Sequence, residues 1–369
     1  MSRSPRFCVL VGWWLVLGAG AASGRTWIVD PSGGGDFTRV TDACQAAAAG
    51  DTVAVQPGSY DEHAPTYSLR MLEKPISLIG LGADPSDVRL RMGIYFEDCF
   101  GILIRNVTFH HEQCPIIEFG GTLVVERCRF EDNTQAEDLG AGGAIRQVGW
   151  NARIEDCVFL RNTAEVGGAF CSFGGQLEIR RCVFQENRAT IEDGGGLRVF
   201  NDRGTVEDCL FLRNVAPNGA ALSMGHWPTI AGCTFYANEV TMTEGAAIAI
   251  GALSSNTVHE CVVAGTVNGI GIGTWEAATL RCFCFWDNEL GNGSGWIHAP
   301  EELGNFTADP RFCNPDAGDF HLFEGSPCLP GEHGGYSCGL IGALGLGCGE
   351  IPTQETTWGR IKERFRGAE

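Results

Sequence analysis

The sequence has no apolar run of the roughly 20 residues that a membrane span needs. Its one conspicuous run, Phe7 to Leu17, follows Arg3 and Arg6 and precedes small residues from Gly18 to Gly24. This is the layout of a secretory signal, so the expectation is an exported chain that loses residues 1–24 and has no membrane insertion afterwards. Basic residues are scarce, with 26 Lys and Arg against 45 Asp and Glu, and the net charge of −19 becomes −21 once the leader is gone. Such a surface repels nucleic acid and anionic lipid. A polyanionic glycan would need divalent cations to bridge it to this surface. The HExxH, GxSxG, Walker and dinucleotide fingerprints are all missing, so no common hydrolase or nucleotide-binding chemistry is signalled. The 17 cysteines contain no CxxC pair, which weakens any zinc reading.

What is present is an internal repeat. On the pattern apolar-x-x-Cys-x-Phe-x-x-Asn, the segments ERCRFEDN (126–133), EDCVFLRN (155–162), RRCVFQEN (180–187), EDCLFLRN (207–214) and AGCTFYAN (231–238) superpose. Weaker copies extend the Cys column to positions 107, 128, 157, 182, 209, 233, 261 and 283, a step of about 25 residues. A Gly- and Ala-rich column (GGAI, GGAF, GGGL, GAAL, GAAI) ends at 145, 170, 197, 222 and 248 and is continued by Ile270. An apolar column three residues before the Cys position runs through Ile104, Val125, Ile154, Ile179, Val206, Ile230, Val258 and Leu280. The fold class expected is all-β: a single-stranded right-handed parallel β-helix, a solenoid with three short strands per coil. Its inward columns stack at about 4.8 Å.

The residue choices fit such a stack. Cys and Phe two apart share a strand face, and the Asn three after Phe suits a left-handed corner and a coil-to-coil amide ladder. The residue before Cys (Arg127, Asp156, Arg181, Asp208) and the residue two after Phe (Asp132, Arg161, Glu186, Arg213) alternate in charge, as in-register neighbours should. Small buried thiols are expected for the ladder cysteines. Cys313, Cys328, Cys338 and Cys348 are expected to form two disulfides in an exported chain, in any of three pairings.

At the front, Val40, Ala43, Cys44 and Ala47 lie on one face of an Ala-rich helix that would cap the solenoid, ahead of a strand Thr52–Val55. This segment, with its GDF, GDT and PGSYDE strings, resembles the entry of pectin methylesterases and related pectin-lyase-like proteins. The GGA and FxxN repeats are similar to those of polymorphic outer-membrane proteins, and Asp309–Ala343 resembles the C-terminal turn of bacterial β-helix repeat proteins. The resemblance covers roughly residues 26–349 and implies the fold strongly and the activity hardly at all. The boundaries expected are a leader (1–24), an N-terminal cap (25–62), β-helix coils (63–300), a Cys-rich C-terminal turn (301–349) and a tail (350–369), in which Trp358, Ile361 and Phe365 share one helical side.

The esterase strings QAV, YQDT and DFIFG are absent, as are the polygalacturonase GHG and the epimerase DPHE. The reading therefore favours a secreted protein that binds a polysaccharide or cell-surface glycan. The alternatives are a polysaccharide lyase, hydrolase or epimerase of the pectin-lyase-like type, and a structural or adhesive protein without a site. The resemblance places a ligand on the outward face of the Gly/Ala-column strand. There stand Arg146, Cys171, Arg198, Ser223, Ala249 and Gly271. Arg146 and Arg198 would read a uronate carboxylate, and Glu137, Asp138, Glu192 and Asp193, with Glu165 beside them, are the calcium candidates. Five positions after the column residue lie Trp150, Trp227 and Trp275, candidate stacking platforms for sugar rings.

Overall fold

A computed structural model describes residues 24–64, 67–135, 140–200, 204–226, 228–252, 258–276, 278–294, 297–332 and 337–348. The expected leader and the tail with Trp358, Ile361 and Phe365 lie outside the described residues. The chain winds about 10 right-handed turns. Successive turns align into parallel sheets of ten, nine and eleven strands. The first sheet runs from Thr26–Val29 to Val258–His259, the second from Leu69–Leu72 to Ile270–Thr274, and the third from Gly58–Asp61 to Phe306–Thr307.

Register is what the repeat specifies. In the third sheet Phe109, Phe130, Phe159, Phe184, Phe211 and Phe235 are direct neighbours. Their rings stack with centroids 4.7–5.4 Å apart and planes within 11°. Parallel strands about 4.8 Å apart leave identical rings no other packing. The apolar column of the first sheet is equally continuous from Ile104 to Val258. All these side chains are buried in one core. The ladder cysteines 128, 157, 182, 209, 233 and 261 are buried free thiols, as expected.

Asn133, Asn162, Asn187, Asn214 and Asn238 form the amide ladder. Each Nδ2 donates to the Oδ1 of the next Asn at 2.9–3.0 Å, and all five are buried. Their backbone differs from expectation. The left-handed residues are those just before the Cys and just before the Asn: Arg127, Asp156, Arg181 and Asp208 (φ 49–54°), and Asp132, Arg161, Glu186 and Arg213 (φ 51–57°). These are the two charge ladders. The Asn is freed from the corner because its side chain is needed inside. The cost of roughly 1–2 kcal/mol for a non-glycine residue in this region falls on partly to fully exposed positions, some of which pair across coils. Arg161 binds Asp132 at 2.6 and 2.8 Å, and Arg181 binds Asp156 at 2.8 Å.

The glycine pairs turn the other corner. Gly142, Gly167 and Gly194 have φ of 58–81°. A Cβ on Gly143, Gly168 or Gly195 would lie 2.2–2.3 Å from a carbonyl oxygen of the next coil.

Three strands per coil holds for most turns, but four of them add a short fourth strand after the Asn: Thr163–Ala164, Arg188–Ala189, Val215–Ala216 and Glu239–Val240. The helix Val40–Ala46 buries Val40, Ala43 and Cys44 on the core. Glu62 accepts from the Val40 and Thr41 amides at 2.6 and 2.9 Å, which holds the helix start against the first coils.

The C-terminal segment departs most from expectation. Instead of only closing the last turn, it folds back along the outer face of the third sheet. That face is apolar: Val158, Leu160, Val183, Leu210 and Leu212 are covered by Phe320 and Leu344, with Phe312 and Ala343 beside them. Val262, Ala264 and Cys284 lie under Leu322, Cys328 and Ile341. The Ala343 amide donates to Thr234 Oγ1 at 3.0 Å, and Gly342 donates to the Glu260 carbonyl at 2.8 Å. The disulfides are Cys313–Cys348 and Cys282–Cys338. Cys338 therefore pairs outside the expected set of four, and Cys328 is a buried thiol.

Candidate functional site

The second sheet presents two outward columns between inward ones. The inner column is Ile94, Ile116, Ile145, Phe170, Leu197, Leu222, Ile248 and Ile272. Ile272, not Ile270, is thus the neighbour of Ile248. Ile270 pairs with Ala246 instead, so the last coil is shifted by two residues from expectation and Gly273, not Gly271, stands beside Ala249. By the same shift Trp275 falls outside the column of Trp150. It follows Thr274, the neighbour of Ile250, and is 69% exposed. Trp150 is 68% exposed and meets the edge of Phe100 at 6.5 Å. Trp227, Glu137 and Asp138 lie outside the described residues.

The first outward column reads Arg70, Tyr95, Ile117, Arg146, Cys171, Arg198, Ser223. Arg146 and Arg198 are two coils apart, about 10 Å by strand spacing. Two residues after Cys171 and Arg198, just past the ends of their strands, Phe173 and Phe200 stack at 4.7 Å with planes 7° apart. The Arg198 guanidinium lies 4.3 Å from the Phe200 ring centre and that of Arg146 5.4 Å from Phe173. Arg198 also donates to Ser223 Oγ. Ser223 Oγ in turn donates to Asp193 at 3.2 Å, and Asp193 stands 3.9 Å from the Arg198 guanidinium. The guanidinium is held by ring, hydroxyl and carboxylate together, which removes most of the rotamer freedom that binding would otherwise have to quench. Cys171, between the two arginines, is fully buried, and burial pushes its thiol above the ordinary range.

Asp193 is committed to Arg198, Ser223 and Asn218, while Glu192 is exposed. Among the described residues no group of three or more His, Cys, Asp or Glu side chains is arranged to hold a metal ion.

Several neighbours carried no legible sequence signal. Tyr67 packs on Tyr95 at 5.4 Å, and Arg70 lies 5.2 Å over Tyr95, which extends the arginine and aromatic surface toward the N-terminus. At the corner leading into this sheet, Glu112 takes the place of an Asn three after Phe109. Its buried carboxylate accepts from Nδ1 of the exposed His63 at 2.8 and 2.9 Å. Phe173 and Phe200 were findable, since both lie three after the inner column residue. His63 and Glu112, 49 residues apart, were not.

Residues 89–211, a third of the chain, match the family described as "Right handed beta helix region". The chain folds as a right-handed parallel β-helix. Among solved structures it is similar to a mannuronic-acid-specific polysaccharide family 6 lyase from the human gut microbiota. The identity is 15%, over 73% of this chain and 77% of that one, at a TM-score of 0.38, a likeness too loose to carry any chemistry across. No curated protein matches the sequence.

Proposed function

We propose that this chain is an exported glycan-binding protein that takes an acidic polysaccharide along the outer face of the second sheet. Arg146 and Arg198 receive carboxylates, and Phe173, Phe200 and Tyr95 receive sugar faces. The observation that carries this reading is the stacked Phe173–Phe200 pair flanked by Arg146 and Arg198. Half-exposed aromatic rings in register with fixed guanidinium groups match an oligomer that repeats a carboxylate and an apolar sugar face. The two disulfides agree with an extracellular setting. Among the described residues no helix is long and apolar enough to cross a membrane. Calcium would serve by bridging uronates to the acidic surface.

The test is a glycan array with and without Ca²⁺, followed by titration of oligouronates and neutral oligosaccharides of equal length. Arg198→Ala is expected to abolish the preference for acidic chains. Trp150→Ala is expected to weaken binding of the longer oligomers alone, by about 1 kcal/mol, the scale of one aromatic contact. If the parent protein binds no glycan, the structural or adhesive reading replaces this one.

A catalytic reading has one observation of its own, the His63 imidazole held through Nδ1 by the buried Glu112 carboxylate. A reducing-end assay on any glycan bound, repeated with His63→Gln, decides it: turnover lost with binding retained supports catalysis, and no turnover in the parent removes it.

A further inference from the structure

We infer that Cys284 and Cys328 form a third disulfide, which fastens the back-folded C-terminal segment to the last coils. Six cysteines follow Cys261 in the chain, and four of them are bridged as Cys282–Cys338 and Cys313–Cys348. The remaining two are both fully buried, in one cluster with Cys282, Cys338, Leu322 and Ile341. Both side chains pack in that one cluster between the third sheet and the segment that covers it.

Two independent constraints bring them together. Cys282–Cys338, with Cα atoms 5.7 Å apart, pins the covering segment two residues from Cys284. The Ile341 amide donates to the Cys328 carbonyl at 3.0 Å, and both residues pack in one buried cluster with Cys284.

The ladder cysteines show why proximity alone is insufficient. They sit side by side on in-register parallel strands with their Cα–Cβ bonds aligned, about 4.8 Å apart, beyond the roughly 3.8 Å between Cβ atoms that a disulfide needs. Cys284 and Cys328 instead approach from opposite layers, the sheet and the segment covering it, as Cys282 and Cys338 do.

The bond forms by exchange with an external disulfide, that of a thiol–disulfide oxidant in the exporting compartment. The thiolate of one cysteine attacks an oxidant sulfur to give a mixed disulfide. The second cysteine then attacks the first, and the oxidant leaves as a dithiol carrying the two electrons and two protons.

The test uses the full chain, refolded in a glutathione redox buffer, denatured without reduction, alkylated, digested and mapped by mass spectrometry. A peptide pair joined through Cys284 and Cys328, two hydrogens lighter than the separate peptides and split by reductant, is expected. Cys284→Ala should turn Cys328 from unreactive to alkylatable in the denatured, unreduced chain. Alkylated Cys284 and Cys328 in parent protein with Cys282–Cys338 intact would overturn the inference, as would Cys328 bridged to any other cysteine. If Cys284→Ala fails to fold, the parent map alone decides.

Discussion

Asn is the residue of the inner ladder because its amide is donor and acceptor at once. Each Asn187-type side chain gives one hydrogen to the next Asn and one to a Phe carbonyl of the preceding coil, Phe159 for Asn187 at 3.0 Å. It also receives the amide of the Asn before it, 2.9 Å from Asn162 N. A buried polar group with all partners met adds stability where an unmet one would cost about 1–3 kcal/mol. Glu118 is the opposite case. It faces inward between Phe96 and Gln147 and is wholly buried. Burial raises its carboxyl above the ordinary range, against hydrogen bonds from Gly121, Gln147 and Gly149 that pull it down. A raised carboxyl favours the protonated form in the folded state. The contribution of Glu118 to stability is thus fully present below the unfolded pKa of about 4.3 and is lost as pH climbs through the folded value. Glu118→Gln is expected to match the parent at acid pH and to melt higher at neutral pH. Melting curves across pH check it, and a parent with no loss of stability on the alkaline side would refute it.

At the scale of the element, the corners decide register. In the coils from 126 to 214 the corners on either side of the Cys–Phe strand hold left-handed charged residues, and the pairing across coils determines which neighbour each meets. Asp156→Arg would put arginines at 127, 156 and 181 in succession and remove the Arg181–Asp156 bond. The loss should be about 1 kcal/mol, larger at low salt than at high salt, because half-exposed like charges are screened. Equal losses at both salt concentrations would mean that backbone strain rather than charge dominates. The repeat was readable for these columns because one residue type recurs at one position per coil. It misled for Asn, since a tolerance for left-handed geometry is shared by the Asp that precedes it in EDN (131–133), and only the folded chain shows which of the two turns the corner. It also misled at Ile270, where the inner position is Ile272, 24 residues after Ile248, and both Ile270 and Ile272 satisfy the apolar pattern.

At the scale of the molecule, the third sheet from Val158 to Leu212 is largely apolar on both faces, and the C-terminal segment is what keeps the outer one from water. Phe320 is buried at its centre, 5.1 Å from Tyr236. Phe320→Ala should cost about 3–5 kcal/mol locally and undock the segment, baring Val158, Leu160, Val183, Leu210 and Leu212. A bare apolar face of parallel strands is an association surface. The expected result is raised binding of a hydrophobic dye and concentration-dependent sedimentation with the coil signal in circular dichroism retained. A monomer with unchanged dye binding would show that other contacts hold the segment down.

The amino-acid sequence alone determined the solenoid, its inner columns, its charge ladders and its capping helix. In a parallel stack each coil meets only the next, so identical residues lie one above another and the contact pattern is written as a repeat of about 25 residues. It did not determine what covers the third sheet, which thiol Cys338 finds 56 residues away, or why Glu112 holds His63. The covering contact joins Ala343 to Thr234, 109 residues apart, and no periodicity links those positions. Such pairs exist only once the coils have set the surface on which a non-repeating segment comes to rest.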